Sequence, residues 1–194
     1  MTNRPDFTTS WIETLSRVAR STIVADGAAE ILPLDTGVLR LRNTAKYRVG
    51  RGGRLFILGN GGSLAIAMHI ATDFCLCDWP TIALGDPVAL TSHTNDFGGE
   101  ANFSKQLELL RVCVDDVVIA MSCSGKSPNI LDAVRYAKAQ GCDTVTMSGF
   151  APDNPLRPLG YLNFYVPANE YGFVQLAHES ILHAACDIES GWSP

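Results

Sequence analysis

A chain of 194 residues, 46% of them apolar, has enough material for one sizeable core, and 15 basic against 20 acidic side chains leave it a net charge of −5. That balance argues against a nucleic-acid or anionic-membrane surface, so any phosphate must be held by local donors rather than by a basic face. No apolar run approaches the roughly 20 residues of a spanning helix, and MTNRPDFTTS lacks the charged-then-apolar order of a secretory leader; a cytoplasmic protein is expected.

Residues 1–50 read as a helical extension, with oligomerisation as its expected role, ahead of a main domain at 51–194. Trp11, Ile12, Leu15 and Val18 recur at helical spacing, and a second amphipathic patch runs from Ile31 to Tyr47. From Arg54 onward short apolar runs alternate with helical patterns: LFIL (55–58), TIAL (81–84), VVIAM (117–121), TVTM (144–147) and LNFYV (162–166). Runs apolar on both faces and separated by helix-length segments predict an α/β fold with a parallel sheet covered on both sides, in the order β, α, β, α, β, α, β, β, α.

The first run stops at GNGGS (59–63) and resumes as an apolar helix. Glycines there serve either a tight strand-to-helix turn or an anion site made of backbone amides at a helix start. The segment is neither the GxGxxG dinucleotide fingerprint nor a P-loop, which needs a Lys. In the helix that follows, His69, Thr72 and Asp73 fall at i, i+3 and i+4 and share one face. A His and a carboxylate one turn apart are half of a divalent-metal site, or a core histidine satisfied by its neighbour.

After the second run comes TSHTNDFGGEANF (91–103); Asn95 and Asp96 are expected near the C-terminal end of a parallel strand, where such sheets bind ligands. After the third comes SCSGKSPN (122–129), with Ser122, Ser124 and Ser127 around Gly125. Hydroxyls and amides at a helix start suit a phosphate monoester, and three serines exceed what capping requires. Ser127 as N-cap, Pro128 in the first turn and Gly141 past the end delimit that helix. The last helix, in GFVQLAHESILHAACDIE (172–189), carries Gln175, His178, Glu179 and His183. Gln175 and His183 are about 12 Å apart along the axis, so one metal touching both must lie between inward-reaching side chains, or the site must combine chains. The six cysteines (Cys75, Cys77, Cys113, Cys123, Cys142 and Cys186) form neither CxxC pairs nor a disulfide framework, and are expected to be mostly buried, reduced thiols.

This ordered set, GNGGS, then His69 with an acid four residues on, TNDFG, SxSGxSPNxLxA and QxxHxxxxH, resembles the phosphoheptose isomerases of the sugar isomerase (SIS) domain class over roughly residues 54–189. The resemblance implies a doubly wound, flavodoxin-like five-stranded parallel sheet. It also implies a cytoplasmic homotetramer with one zinc ion per active site, interconverting sedoheptulose 7-phosphate and a glycero-manno-heptose 7-phosphate for heptose glycoconjugates. It places sugar contacts on Asn60, Gly61, Gly62, Asn95 and Asp96, the phosphate loop on Ser122, Cys123, Ser124 and Ser127, metal ligands on His69, Asp73, Gln175 and His183, and the acid/base pair on Asp73 and His183. Against the family's usual pattern, Asp73 stands for a Glu, Ile66 for an Asp and Cys123 for a Thr, and CLCD lacks an Arg. Two other functions stay open: a non-catalytic SIS adaptor or regulator that binds a sugar phosphate, and an isomerase of another phosphosugar. Retention of Gln175 and His183 favours an enzyme; the shorter Asp73 favours the adaptor.

Overall fold

Strand β3 (Leu55–Gly59) sends Leu55 and Ile57 into one apolar core and Phe56 and Leu58 into another, because successive side chains point to opposite faces of a sheet. Strand β5 (Val117–Ser122) divides Val117, Ile119 and Met121 from Val118 and Ala120 in the same way. Both strands are buried from end to end, as expected of a sheet covered on each side. The computed structural model describes residues 6–194; residues 1–5, part of the stretch read for a leader, lie outside the described residues.

The remaining parallel strands are β4 (Thr81–Ala83), β6 (Asp143–Ser148) and β7 (Leu162–Tyr165). Together the five run β4-β3-β5-β6-β7, the predicted doubly wound order. Helices α2 (Leu34–Val49), α3 (Gly62–Leu76) and α7 (Tyr171–Glu189) cover one face, contributing Leu41, Ile70, Phe74, Ile181 and Leu182. Helices α5 (Asn102–Leu109) and α6 (Pro128–Ala139) cover the other through Phe103, Leu107, Ile130 and Val134. The helix boundary read from Ser127, Pro128 and Gly141 is the one observed, with Gly141 at a φ of 82°.

The N-terminal fifty residues depart from the all-helical expectation. Helix α1 (Phe7–Arg20) and α2 are present, but between them β1 (Ile23–Asp26) and β2 (Ile31–Leu32) form a hairpin that extends the sheet, β1 lying antiparallel to β7. Nor is the segment structurally separate: α2 buries Val38, Leu41 and Ala45 in the main core. Gly37 makes that packing possible, since a Cβ there would come within 2.7 Å of Val24 on β1. Helix α1 buries none of its residues, and Trp11 stacks at 5.0 Å on Phe173 at the start of α7. No helix among the described residues is long and apolar enough to cross a membrane.

Candidate active site

In an open α/β sheet the crevice for a ligand lies beyond the carboxyl ends of the strands where the winding reverses. Here that point falls between the neighbours β3 and β5, followed by α3 on one face and α6 on the other. The two Gly/Ser loops therefore meet. Asn60 and Asn129 exchange side-chain hydrogen bonds of 3.0 Å each, joining the loop after β3 to the first turn of α6.

Beneath them is a cavity of about 150 Å³ lined by Asn60, Ser63, Ser122, Cys123, Ser124, Ser127, Tyr171 and Gln175, together with Met121. Ser122 and Ser127 hydroxyls lie 3.1 Å apart, and Ser124 Oγ accepts from the Lys126 N–H at 3.3 Å, tightening the turn. Gly125 sits at a φ of 63° with the Asn154 side chain against its Cα, so a Cβ has neither the backbone nor the room. Neither α3 nor α6 has an acidic residue in its first turn, which leaves the positive ends of both helix dipoles available to an anion. Cys123 Sγ is 3.9 Å from Ser63 Oγ, and burial pushes its thiol above the ordinary value against hydrogen bonding from Ser63 and Gln175. The sulfur stays protonated, a weak donor where a hydroxyl would be a stronger one.

Farther along α3 and α7, whose early turns give Ser63, Tyr171 and Gln175 to the cavity, His69 and Asp73 of α3 meet His183. Asp73 Oδ2 lies 3.5 Å from His69 Nε2 and 3.4 Å from His183 Nδ1, and the two imidazole rings are 5.3 Å apart. One ligand atom from each residue can be chosen so that all lie within 4.8 Å of one another. Zinc at about 2.0–2.2 Å from tetrahedral ligands separates neighbouring donors by roughly 3.3–3.6 Å, and two imidazoles with one carboxylate leave the open position of a catalytic site. The donor set suits a divalent metal ion. The side chains are 55%, 25% and 36% exposed, so the cluster is open to solvent.

His178, between Gln175 and His183 on α7, is fully buried with Nε2 3.1 Å from the Ser148 carbonyl. Burial drives its pKa down to about 4, which keeps the ring neutral and Nε2–H the donor.

Asn60, Ser122, Cys123, Ser124 and Ser127 thus come together as predicted, with Gly61 and Gly62 at the start of α3 alongside them. Gln175 lines this cavity as well. Its amide packs on Gly62, where a Cβ would come within 2.6 Å of it, and His183 lies eight positions farther along the helix. Asn95 and Asp96 are not among the residues lining this cavity. They occupy the last turns of α4 (Pro87–Phe97), exposed, with Asn95 Nδ2 donating to Asp96 Oδ1 at 2.8 Å. The helix is started by Asp86 as N-cap and Pro87, so both residues belong to α4 and not to the strand end itself. Tyr171 and Asn129 were not anticipated. Tyr171 precedes Gln175 by one helical turn, the spacing that shares a face, and Asn129 follows directly on the Ser-Pro start of α6. The thiols are less uniformly buried than expected: Cys123, Cys142 and Cys186 are buried, but Cys75 and Cys113 are exposed and Cys77 is half-buried.

Residues 40–149 match the family model of the SIS domain, which defines the class of protein. The chain is 36% identical over 152 residues to a phosphoheptose isomerase of Solidesulfovibrio magneticus, a match covering 75% of this chain and 73% of that protein. It superposes on the structure of a phosphoheptose isomerase from Francisella tularensis with a TM-score of 0.81 at 26% identity, over 99% of this chain and 100% of the other. The structure of phosphoheptose isomerase from Neisseria gonorrhoeae also gives a TM-score of 0.81, at 24% identity, covering 96% of this chain and 98% of that one. The chain belongs to the phosphoheptose isomerase family of SIS-domain proteins.

Proposed function

We propose that the chain is an aldose–ketose isomerase that interconverts sedoheptulose 7-phosphate and D-glycero-D-manno-heptose 7-phosphate, supplying heptose for lipopolysaccharide, capsule or a related glycoconjugate. The observation that carries this reading is the meeting of His69, Asp73 and His183 on the two helices whose other ends frame the serine-lined cavity. From Ser63 to His69 is about 9 Å of helix rise, and from Gln175 to His183 about 12 Å. An extended seven-carbon sugar with phosphate at one end and its carbonyl at the other spans a distance of that order. Phosphate held by Ser122, Ser124, Ser127 and the two helix starts sets the first two carbons against the cluster, converting remote binding into orientation.

Isomerisation requires a proton to leave the carbon beside the carbonyl and to return to the neighbouring carbon through an enediolate. Asp73, with Oδ2 turned to both imidazoles, has Oδ1 to take that proton and deliver it. His183 moves the second proton, from the hydroxyl to the carbonyl oxygen. His69, Asp73 and His183 would hold zinc, which when bound stabilises negative charge on the substrate oxygens. Asp73 is one methylene shorter than Glu, and its base is withdrawn by on the order of 1 Å, a difference the approach of α3 to α7 must absorb.

Exposed apolar side chains support assembly into a homotetramer. Phe7, Trp11 and Ile12 on α1, Met68 and Leu76 on α3 and Leu176 on α7 face solvent in the single chain. A metal at His69, Asp73 and His183 would take Gln175 as a further ligand either through a side chain reaching along α7 or from a second copy. The working location is the cytoplasm.

The test is turnover of sedoheptulose 7-phosphate by protein of determined zinc content, with Asp73→Ala as control. Zinc-dependent conversion lost in the variant is expected. A folded, metal-loaded protein that leaves the substrate untouched would overturn the assignment and point to another phosphosugar or a binding role.

A further inference from the structure

Two sulfurs face each other just beyond the His/Asp cluster. Cys77 ends α3, its N–H donating to the Asp73 carbonyl at 3.2 Å, and Cys186 follows His183 by three residues on α7. The residues are 109 positions apart in sequence, yet their Sγ atoms are 2.8 Å apart. Cys186 Sγ also lies 3.6 Å from the Asp73 carbonyl, and Cys77 Sγ 3.6 Å from the Cys186 carbonyl. A disulfide bond is about 2.05 Å long, so the two atoms need close by less than about 1 Å. The other thiols are placed differently: Cys142 contacts the Cys113 carbonyl, Cys75 the Thr81 carbonyl, and Cys123 the Ser63 hydroxyl. Cys77 is half-buried and Cys186 buried, so a reagent in solution meets Cys77 first.

We propose that Cys77 and Cys186 form a thiol–disulfide modification site, oxidised by a low-molecular-weight disulfide, which fastens α3 to α7 at the joint that positions Asp73 and His183. The Cys77 sulfur gives its proton to solvent and attacks one sulfur of the small disulfide. A mixed disulfide forms as the reagent's S–S bond breaks, and one small thiolate departs. Cys186 then gives up its proton and attacks the Cys77 sulfur, forming the Cys77–Cys186 bond and expelling the second small thiolate. Two protein thiols are oxidised while one small disulfide is reduced to two thiols. In a reducing compartment such a pair rests as the dithiol and closes only when the poise shifts, which is how cytosolic disulfides usually serve. This inference rests on the positions of the two sulfurs and stands apart from the isomerase reading.

The test equilibrates the purified full-length protein in glutathione buffers from reducing to oxidising, quenches with acid, alkylates free thiols and maps peptides by mass spectrometry, with thermal unfolding followed in parallel. The expected result is a Cys77–Cys186 linked peptide in the oxidising buffers and an upward shift of the unfolding midpoint. Excess thiol reverses both, and both are absent in Cys77→Ser and in Cys186→Ser. Because Cys77 is half-buried, Cys77→Ser keeps the fold and serves as control should Cys186→Ser fail to fold. Recovery of both residues alkylated from the oxidising buffer would overturn the proposal. So would a persistent glutathione adduct on Cys77 without the link, or a link that leaves the midpoint unchanged.

Discussion

The serine-lined cavity and the His/Asp cluster share α3 and α7 but are built in different ways. The cavity is made by loops at strand ends: backbone amides, short hydroxyls and glycine conformations, with Ser122 and Ser63 buried. The cluster is made by side chains projecting from helix sides, more than one hundred positions apart in sequence and open to solvent. The first is fixed by local chain geometry, which a phosphate needs because its many acceptors must all be met without reorganisation. The second depends on how α3 packs on α7 through Ile70, Phe74, Ile181 and Leu182, so its geometry is a property of the core. Under the proposed function the two divide the labour: the cavity would govern affinity and the cluster the rate of the chemical step.

The sharpest break between the two comes from His183→Ala. Loss of its proton-transfer and metal-holding roles is expected to lower kcat on sedoheptulose 7-phosphate by at least roughly 10²–10⁴-fold, with KM close to wild type, in steady-state assays. Loss confined to KM would reverse the assignment of roles.

Next in size is the acid response of α7, which joins the two regions. Unfolded His178 binds a proton near its ordinary value of 6.5 and the folded ring only at about 4, so between those values the unfolded state holds more protons. Stability from this residue is present above pH 6.5 and falls as pH drops toward 4, by about 3 kcal/mol in all. Urea unfolding at pH 7.5 and 5 is expected to show the decline, and His178→Gln, which keeps an N–H donor for the Ser148 carbonyl, to flatten it.

Smaller again is Ser124→Ala, which removes one hydrogen bond to a charged group. It is expected to raise KM about 10–100-fold with a lesser change in kcat and little effect on folding. Smallest is Cys123→Thr. Replacing a protonated thiol with a hydroxyl in the same cavity is expected to lower KM by about 2–10-fold, a gain restricted to phosphorylated substrate.

How legible each region was in the sequence follows from the same contrast. The cavity could be read because GNGGS and SCSGKSPN each carry their turn, cap and helix start within a few residues. The five parallel strands could be read because β3 and β5 are apolar on both faces. The cluster was half legible: His69 and Asp73 declare a shared face by spacing, but their partnership with His183 is a tertiary fact that the family resemblance supplied. The β1–β2 hairpin was missed because its strands are too short for alternation to show. Its signal was Asp26-Gly27, where Asp26 Oδ1 accepts the N–H groups of Ala28 and Glu30. Asn95 and Asp96 were drawn toward the strand end because the helix start at Asp86-Pro87 was overlooked; Asp86 Oδ1 accepts from the Ala89 N–H at 2.8 Å.

The most direct test of Asp73 as the carrier of the carbon-bound proton is conversion of sedoheptulose 7-phosphate in deuterium oxide, with the product's first two carbons read by NMR. Asp73 is open enough to exchange its proton with solvent, so deuterium is expected at the carbon that is protonated on forming the heptose 7-phosphate, and no conversion at all in Asp73→Ala. Undiminished turnover in the variant, or deuterium incorporation that persists in it, would contradict the account.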